Sequence, residues 1–459
     1  MNATPAGFRL VVLLLFSCAA CAQVFTPDER YKADILVVVA HPDDDTLVSS
    51  YLARAIYDQH KKVAVVYCTR GDSGGNAEAR EHARALGLVR EIEGRRALNF
   101  LGIANVWFLD GRDTSSQNVL VSLAAWPSAS VLEQTVRIVR LTRPEVVFTW
   151  LPSSVAGENH GDHQAAGVIA TEAFDLAGDP AQFPWQLAAP IRQYENGLEG
   201  LDPWQPKKLY YFTDAFDASF FGGHGPEYSG KEVSPSRRVS YLQLAAQSAA
   251  AYYTQSADPS LNRQIEAGQK LDEIVSRMQQ AGYFPEPVRL WLAKSHVAGA
   301  PTADVFEGVR PGAVSYQPPK AHASEAPSQL QAGIGGPWGF YRDFWRAHEL
   351  DSLRDLRPEM AVQPNDTLTV PLLVRNPRPQ PATVSVALTL PAGWKQKGEA
   401  RPMTVPPEGQ ATIAVPVIAP PQENTHFAEI RINALANGTS VFQGSIFVQV
   451  SPYVAEQIK

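Results

Sequence analysis

Ile35-Leu36-Val37-Val38-Val39-Ala40 runs without interruption into His41-Pro42-Asp43-Asp44-Asp45. The first six residues are apolar and mostly β-branched, so they read as a short strand buried on both faces. Such a strand belongs in a parallel sheet, and the surrounding pattern agrees. Thr46 to Tyr57 has helical periodicity, Val63 to Tyr67 is a second strand, and Glu78 to Phe100 is helical with a break expected near Gly87. Val106 to Leu109 is a third strand, Val131 to Leu141 a helix, Val146 to Trp150 a fourth strand, and Gln164 to Leu176 a helix. Strands alternating with helices give an α/β fold, a Rossmann-like parallel sheet with helices on both faces.

Beyond this core, residues 180–235 are irregular apart from a strand at Leu209 to Phe212, and helices are expected at 238–256, 259–281 and 286–295. Residues 297–357 read as a linker and connecting helix. From 358 to 459, short β-rich runs separated by Pro, Gly and Asn predict an all-β, immunoglobulin-like sandwich. No acidic cluster or nucleophile pair stands out there, which leaves the chemistry to residues 23–296.

The chain has 459 residues, 45% hydrophobic and 19% charged, with a formal net charge of -7. Lysine and arginine are scattered rather than striped, so nothing grips nucleic acid or an anionic membrane. At the N-terminus, one basic residue, the apolar run Leu10 to Phe16 and small residues ending in Ala20-Cys21-Ala22 have the layout of a secretory signal peptide over 1–22. Acylation at Cys18 or Cys21 is the lipoprotein alternative. Either way the protein is expected outside the cytoplasm, in the periplasm or secreted. Of the three cysteines, Cys68 alone would remain, in a strand pattern that buries it. No later stretch is apolar and long enough for a transmembrane helix.

Ligands of open α/β sheets bind beyond the carboxyl ends of the strands. His41-Pro42-Asp43-Asp44-Asp45 lies at one such end, and His160-Gly161-Asp162-His163 follows another. These two polar clusters, far apart in sequence, can converge on one point. A catalytic zinc takes three protein ligands from His and carboxylates and leaves a position open. Two imidazoles and one carboxylate from the clusters suffice, with a carboxylate and an imidazole to spare for acid–base work. Asp162 can also serve as an N-cap for the helix after it.

Other readings fit less well. Gly71-Asp72-Ser73-Gly74-Gly75 matches the string around a trypsin-like nucleophile, but too little chain precedes it for two β-barrels. It reads instead as a glycine-rich loop lining the pocket. The turn after the first strand lacks G-x-G-x-x-G and is acidic, which repels a dinucleotide pyrophosphate. His41-x-Asp43 with a distant histidine spells a non-haem iron triad, but the spare Asp44 and His160 suit hydrolysis better.

At these residues the chain resembles the PIG-L/LmbE-like N-acetylglucosaminyl deacetylase family. The matching pieces are Ala40 to Asp44, Thr69-Arg70-Gly71, Leu86 to Glu93 through Ala97, Leu101-Gly102, and His160 to His163, with a weaker segment at Trp204 to Tyr210. The resemblance implies a Zn2+ ion (or another divalent metal such as Fe2+) held by His41, Asp44 and His163. It implies Asp43 as general base, and His160, oriented by Asp162, as the group facing the oxyanion. Arg70 and Asp110 become candidates for contact with the amino-sugar or glycan substrate. The implied reaction is removal of an N-acetyl group by metal-activated water. Two alternatives are an amidase acting on a bulkier amide and an inactive carbohydrate-binding protein. Two positions depart from the family pattern: Asp45 stands where Glu is usual, and Gly161 where Pro is usual. The C-terminal segment, with Leu390 to Trp394 and Val405-Pro406-Pro407, is similar to the immunoglobulin-like NEW3 modules of secreted glycan-active enzymes.

Overall fold

A computed structural model describes residues 28–452 of the chain except 156–158, 190–198, 216, 257, 270, 281–283, 320–328 and 400. The signal segment expected at 1–22 lies outside the described residues. Strand β1 (Ile35–Val39) is central, paired in parallel with β2 (Val63–Tyr67) and β4 (Val146–Trp150). Val37 faces Val65 on one side and Phe148 on the other. β3 (Asn105–Phe108) extends the sheet beyond β2, and β5 (Lys208–Phe212) extends it beyond β4. The order is therefore β3-β2-β1-β4-β5, closed by an antiparallel edge strand, Trp291–Ser295.

Every residue of β1, β2, β4 and β5 is buried, so both faces of the sheet are covered. Each fully buried branched side chain contributes about 1.5–3 kcal/mol relative to exposure. The strand order reverses between β1 and β4, and at that switch the loops leave in opposite directions and open a crevice at the carboxyl ends.

The covering helices are α1 (Ser49–Tyr57), α2 (Arg84–Phe100), α3 (Val119–Ala125), α4 (Ser128–Thr142) and α5 (Gly161–Leu176). Helix α2 passes through Gly87 unbroken, contrary to expectation. A Cβ there would lie 3.1 Å from the Cβ atoms of Arg70 and Asp72, so the glycine permits close packing against the loop after β2. Helix α3 was not foreseen.

The helix expected at 286–295 is instead two short strands, Val288–Arg289, paired with Glu227–Tyr228, and the edge strand Trp291–Ser295. Pro287 stands just before the first, and Val288, Leu290 and Trp291 are buried. A proline and a β-branched, aromatic run favour extension over helix. The helix expected over 259–281 divides into Pro259–Glu266 and Leu271–Gln280, with Gly268 at φ 69° between them. The segment 238–256 forms an α-helix only over Tyr241–Ala249, opened by a reciprocal capping box between Ser240 and Gln243, and a 3-10 turn follows at Tyr253–Gln255.

The C-terminal region is β-rich. Glu359–Val362, Thr439–Val450, His426–Ala436, Ala382–Thr389 and Met403–Val405 form one sheet in that order. Lys395–Gln396, Gly409–Ile418, Thr367–Asn376 and Gln331–Ile334 form the other. Alternate residues of Thr367–Asn376 point inward, and Val370, Leu372, Val415, Ile430, Ile446 and Val448 share one apolar core. Gln331–Ile334 lies in the stretch read as linker, yet it pairs with Thr367–Asn376. Its period-2 signal is short and glycine-containing, which hid it. Helix Pro337–Ala347 then joins the two regions: Trp338 enters the β core while Tyr341, Phe344 and Trp345 enter the α/β core. Among the described residues no helix is long and apolar enough to cross a membrane.

Candidate active site

The two polar clusters meet at the switch point between β1 and β4. After β1 the chain makes a tight 3-10 turn over Asp44–Leu47, with Asp43 in a left-handed conformation at φ 103°. That conformation costs a non-glycine residue about 1–3 kcal/mol and is stored where the surroundings enforce it. The turn folds Asp44 back on its own strand. Asp44 Oδ2 accepts from the backbone N–H of Ala40 (2.9 Å) and His41 (3.0 Å) and from Trp150 Nε1 (2.8 Å). With that oxygen occupied, Oδ1 faces His163 Nε2 at 3.2 Å and His41 Nδ1 at 3.7 Å.

His163 sits in the first turn of α5, its ring stacked on the Trp150 indole at 3.8 Å and 7° between planes. One tryptophan at the end of β4 thus fixes both the imidazole and the carboxylate. His160 is the N-cap of α5, and its Nδ1 accepts from the Asp162 N–H at 3.3 Å. With Nδ1 an acceptor, the neutral ring carries its proton on Nε2. The ring centroids of His41, His160 and His163 lie 4.1–5.1 Å apart.

Exposure separates the cluster into two groups. His41, Asp44 and His163 are 7%, 6% and 5% exposed, whereas Asp43 and His160 keep partial access to solvent. Charge follows the same division. Burial opposes ionisation of Asp44, but His163 and His41 beside it hold its carboxyl well below the usual range. Burial and the neighbouring Asp44 charge push the Asp43 carboxyl well above it. Burial, with His163 and His41 as neighbours, holds His160 neutral.

A residue not singled out from sequence completes the arrangement. Asp113, in the loop after β3, contacts His41 Nε2 through Oδ1 at 3.0 Å and accepts from the Ser73 N–H through Oδ2 at 2.7 Å. Against the cost of burial, Asp113, Asp162 and Asp44 hold the His41 imidazole well above its ordinary pKa. The glycine-rich loop 71–75 therefore borders the site through Ser73, and Arg90 of α2 ties it down by donating to Gly71 O and Gly75 O at 2.5 and 2.8 Å. Asp113 follows Asp110 at the carboxyl end of β3, where the strand-end logic applied to β1 and β4 could have found it.

The roles expected of Asp162 are corrected, and Arg70 and Asp110 have protein partners. Asp162 does not orient His160 through its carboxylate: that group accepts from Thr114 N (2.7 Å) and Oγ1 (2.6 Å) and lies 3.5 Å from His41 Nε2. Nor is it the N-cap, which is His160. Arg70 donates to Leu109 O at 2.8 Å and to Glu91 at 3.3 Å. Asp110 is exposed and accepts from Gln134 at 3.2 Å.

The two departures from the family pattern have local causes. Gly161 N–H donates to Ser116 O at 2.8 Å, and a Cβ would lie 2.6 Å from Ser122 Oγ, so neither proline nor alanine fits. Asp45 turns away from the cluster and accepts from both Tyr67 and Tyr252 hydroxyls at 2.7 and 2.6 Å.

The donor set suits a divalent ion. Two ligands about 2.0–2.1 Å from a tetrahedral ion stand roughly 3.4 Å apart, which the 3.2 and 3.7 Å separations around Asp44 Oδ1 bracket. Among the described residues, the sets of three whose donor atoms all lie within 4.8 Å of one another are His41-His160-His163 and His41-Asp113-Asp162, so the pairwise distances to Asp44 Oδ1, and not this grouping, favour His41, Asp44 and His163.

Residues 36–174 match the family described as PIG-L, GlcNAc-PI de-N-acetylase. Two relatives are named 1D-myo-inositol 2-acetamido-2-deoxy-alpha-D-glucopyranoside deacetylase. That of Geodermatophilus obscurus is 32% identical over 202 residues, covering 38% of this chain and 67% of its own. That of Rhodococcus erythropolis is 32% identical over 192 residues, covering 39% and 60%. The chain belongs to the PIG-L family. It spans 67% and 60% of these relatives' lengths, and its C-terminal β region lies outside the family match at residues 36–174. A solved structure, the N,N'-diacetylchitobiose deacetylase of Pyrococcus horikoshii, aligns at TM-score 0.37 and 17% identity over 62% of this chain and 91% of that one.

Proposed function

We propose that this protein is a zinc-dependent N-deacetylase of an N-acetylglucosamine-type sugar or conjugate, working outside the cytoplasm. The observation that carries it is the meeting of the two clusters, with buried His41, Asp44 and His163 behind partly exposed Asp43 and His160. The names of the relatives supply the substrate class, and the pattern of residues 1–22 supports export.

His41, Asp44 and His163 would hold the ion, which when bound supplies Lewis-acid charge to an amide carbonyl and a water. The remaining steps fall to the chain's own groups. Asp43, with its raised proton affinity, takes a proton from the attacking water and later returns it to the leaving nitrogen. His160 presents Nε2–H to the carbonyl oxygen as it gains charge. Asp113 and Asp162 hold the His41 ring from behind, the position of a carboxylate that fixes a ligand imidazole. Water and amide become acetate and a free amine.

The test is acetate release from N-acetylglucosamine glycans with zinc, with chelator, and with Asp43→Ala. Release that chelator stops, and that Asp43→Ala loses while still binding zinc, is the expected result. Stoichiometric metal with no acetate from any N-acetylated sugar refutes the substrate class, and no stoichiometric metal refutes the ligand assignment.

A further inference from the structure

We propose that the outer face of the C-terminal β region carries a saccharide-binding subsite, separate from the catalytic cluster. A cavity of about 300 Å³ opens there, lined by Arg357, Glu359, Phe427, Glu429, Phe447 and Gln449. Register builds it: Phe427 stands opposite Gln449 and Glu429 opposite Phe447 on neighbouring strands, with Glu359 opposite Phe447 on the other side. All five therefore point to the same face.

The chemistry is mixed in a specific way. Phe427 is 53% exposed, the most water-facing large apolar side chain of the β region. The guanidinium of Arg357 lies over the Phe447 ring at 4.4 Å and pairs with Glu359 at 2.6 Å. Beside them Gln449 is only 4% exposed, and its side-chain oxygen is buried without a hydrogen-bond partner. A buried acceptor left unsatisfied is costly, so it marks a place where a donor is wanted.

An open aromatic face, planar polar groups at its rim and a buried acceptor lacking a donor match a pyranose ring, with its apolar C–H face and surrounding hydroxyls. Arg357 pairs with Glu359, and Arg431 pairs with Glu429 at 3.2 Å, so the charges around the cavity are balanced, which suits a neutral sugar. The volume lies at the lower end of ligand pockets, about 300–1,000 Å³, which limits the occupant to a short stretch of glycan. The cavity wall also touches the catalytic region: Ser154, in the loop from β4 to His160, donates to Glu359 O at 2.9 Å. A glycan seated here is held beside the loop that carries His160.

The subsite does not depend on catalysis and is tested by binding. Full-length protein carrying Asp43→Ala, which removes the proposed base, is titrated calorimetrically with the β-1,4 trisaccharides of N-acetylglucosamine and of glucose. The expected result is saturable binding of at least one, weakened about tenfold when Phe427→Ala is added and reduced also by Glu429→Gln. Phe427 is exposed, so its replacement leaves the fold intact, and an unchanged melting curve, with unchanged acetate release from a monosaccharide by the Phe427→Ala single variant that keeps Asp43, checks this. No binding of either trisaccharide, or equal affinity in both variants, overturns the proposal. Absence of acetate release in any assay leaves this binding result standing and bears only on the proposed function.

Discussion

Replacing Asp113 by Asn tests whether a carboxylate behind His41 sets the properties of the whole cluster. The native group accepts twice, from Ser73 N–H at 2.7 Å and at His41 Nε2 at 3.0 Å. An asparagine has one accepting oxygen and one donating nitrogen, so one partner must face the wrong group. If the amide oxygen keeps His41, the NH2 is pressed against the Ser73 N–H. If it keeps Ser73, the NH2 donates to His41 Nε2 and drives the ring proton to Nδ1, the nitrogen that faces Asp44. Either orientation loses one hydrogen bond to a charged acceptor, about 1.5–3 kcal/mol. Expressed through the ligand geometry, this is about 10- to 150-fold in zinc affinity. Competition against a fluorescent chelator measures the affinity, and a melting curve in chelator checks the fold. Zinc affinity and acetate release both within twofold of the native protein would refute the argument.

Trp150→Phe removes the indole donor to Asp44 Oδ2 while keeping a ring against His163. Zinc affinity measured by the same competition is expected to fall about fivefold, the value of one buried hydrogen bond near 1 kcal/mol. Arg70→Ala should leave KM unchanged and lower the melting temperature by a few degrees (roughly 1 kcal/mol), because its guanidinium braces Leu109 and Glu91. A large rise in KM with an unaltered melting curve would restore the substrate role. Gly161→Pro, which brings the chain closer to the family pattern, is expected to destabilise it by about 2 kcal/mol or more through the lost bond to Ser116 and the clash with Ser122; equal thermal stability would contradict this.

The strongest elements were legible because their patterns were unambiguous. A fully apolar β-branched run ending in His41 can hardly be anything but a buried strand delivering a polar loop, and the helix after His160 has an apolar, alanine-rich body. What sequence spacing could not supply was lateral order. That β1 and β4 are neighbours, so that their loops share one crevice, is a property of the sheet. Asp113 escaped notice because it stands in an aperiodic loop with Asp110 a more obvious choice three residues earlier. Trp150 read as the last residue of a strand, and nothing local reveals that its indole reaches both Asp44 and His163. At 286–295, a short apolar run without a helical period was open to either structure, and pairing with Glu227–Tyr228 and with β5 decided it.

The helix Pro337–Ala347 has a consequence for how the molecule could be taken apart. It sends Trp338 into the β core and Tyr341 and Trp345 into the other, where Tyr341 donates to Gln164 at 2.5 Å and Trp345 to Pro152 O at 3.0 Å. Gln164 is the neighbour of His163, and Pro152 lies two residues beyond Trp150. A gene truncated before this helix would therefore not release an intact enzyme core; it would strip a keystone from behind the catalytic loops. Exchange of the β region between proteins has no clean seam: a cut before the helix takes Tyr341 and Trp345 from the α/β core, and a cut after it leaves Gln331–Ile334 and Trp338 behind.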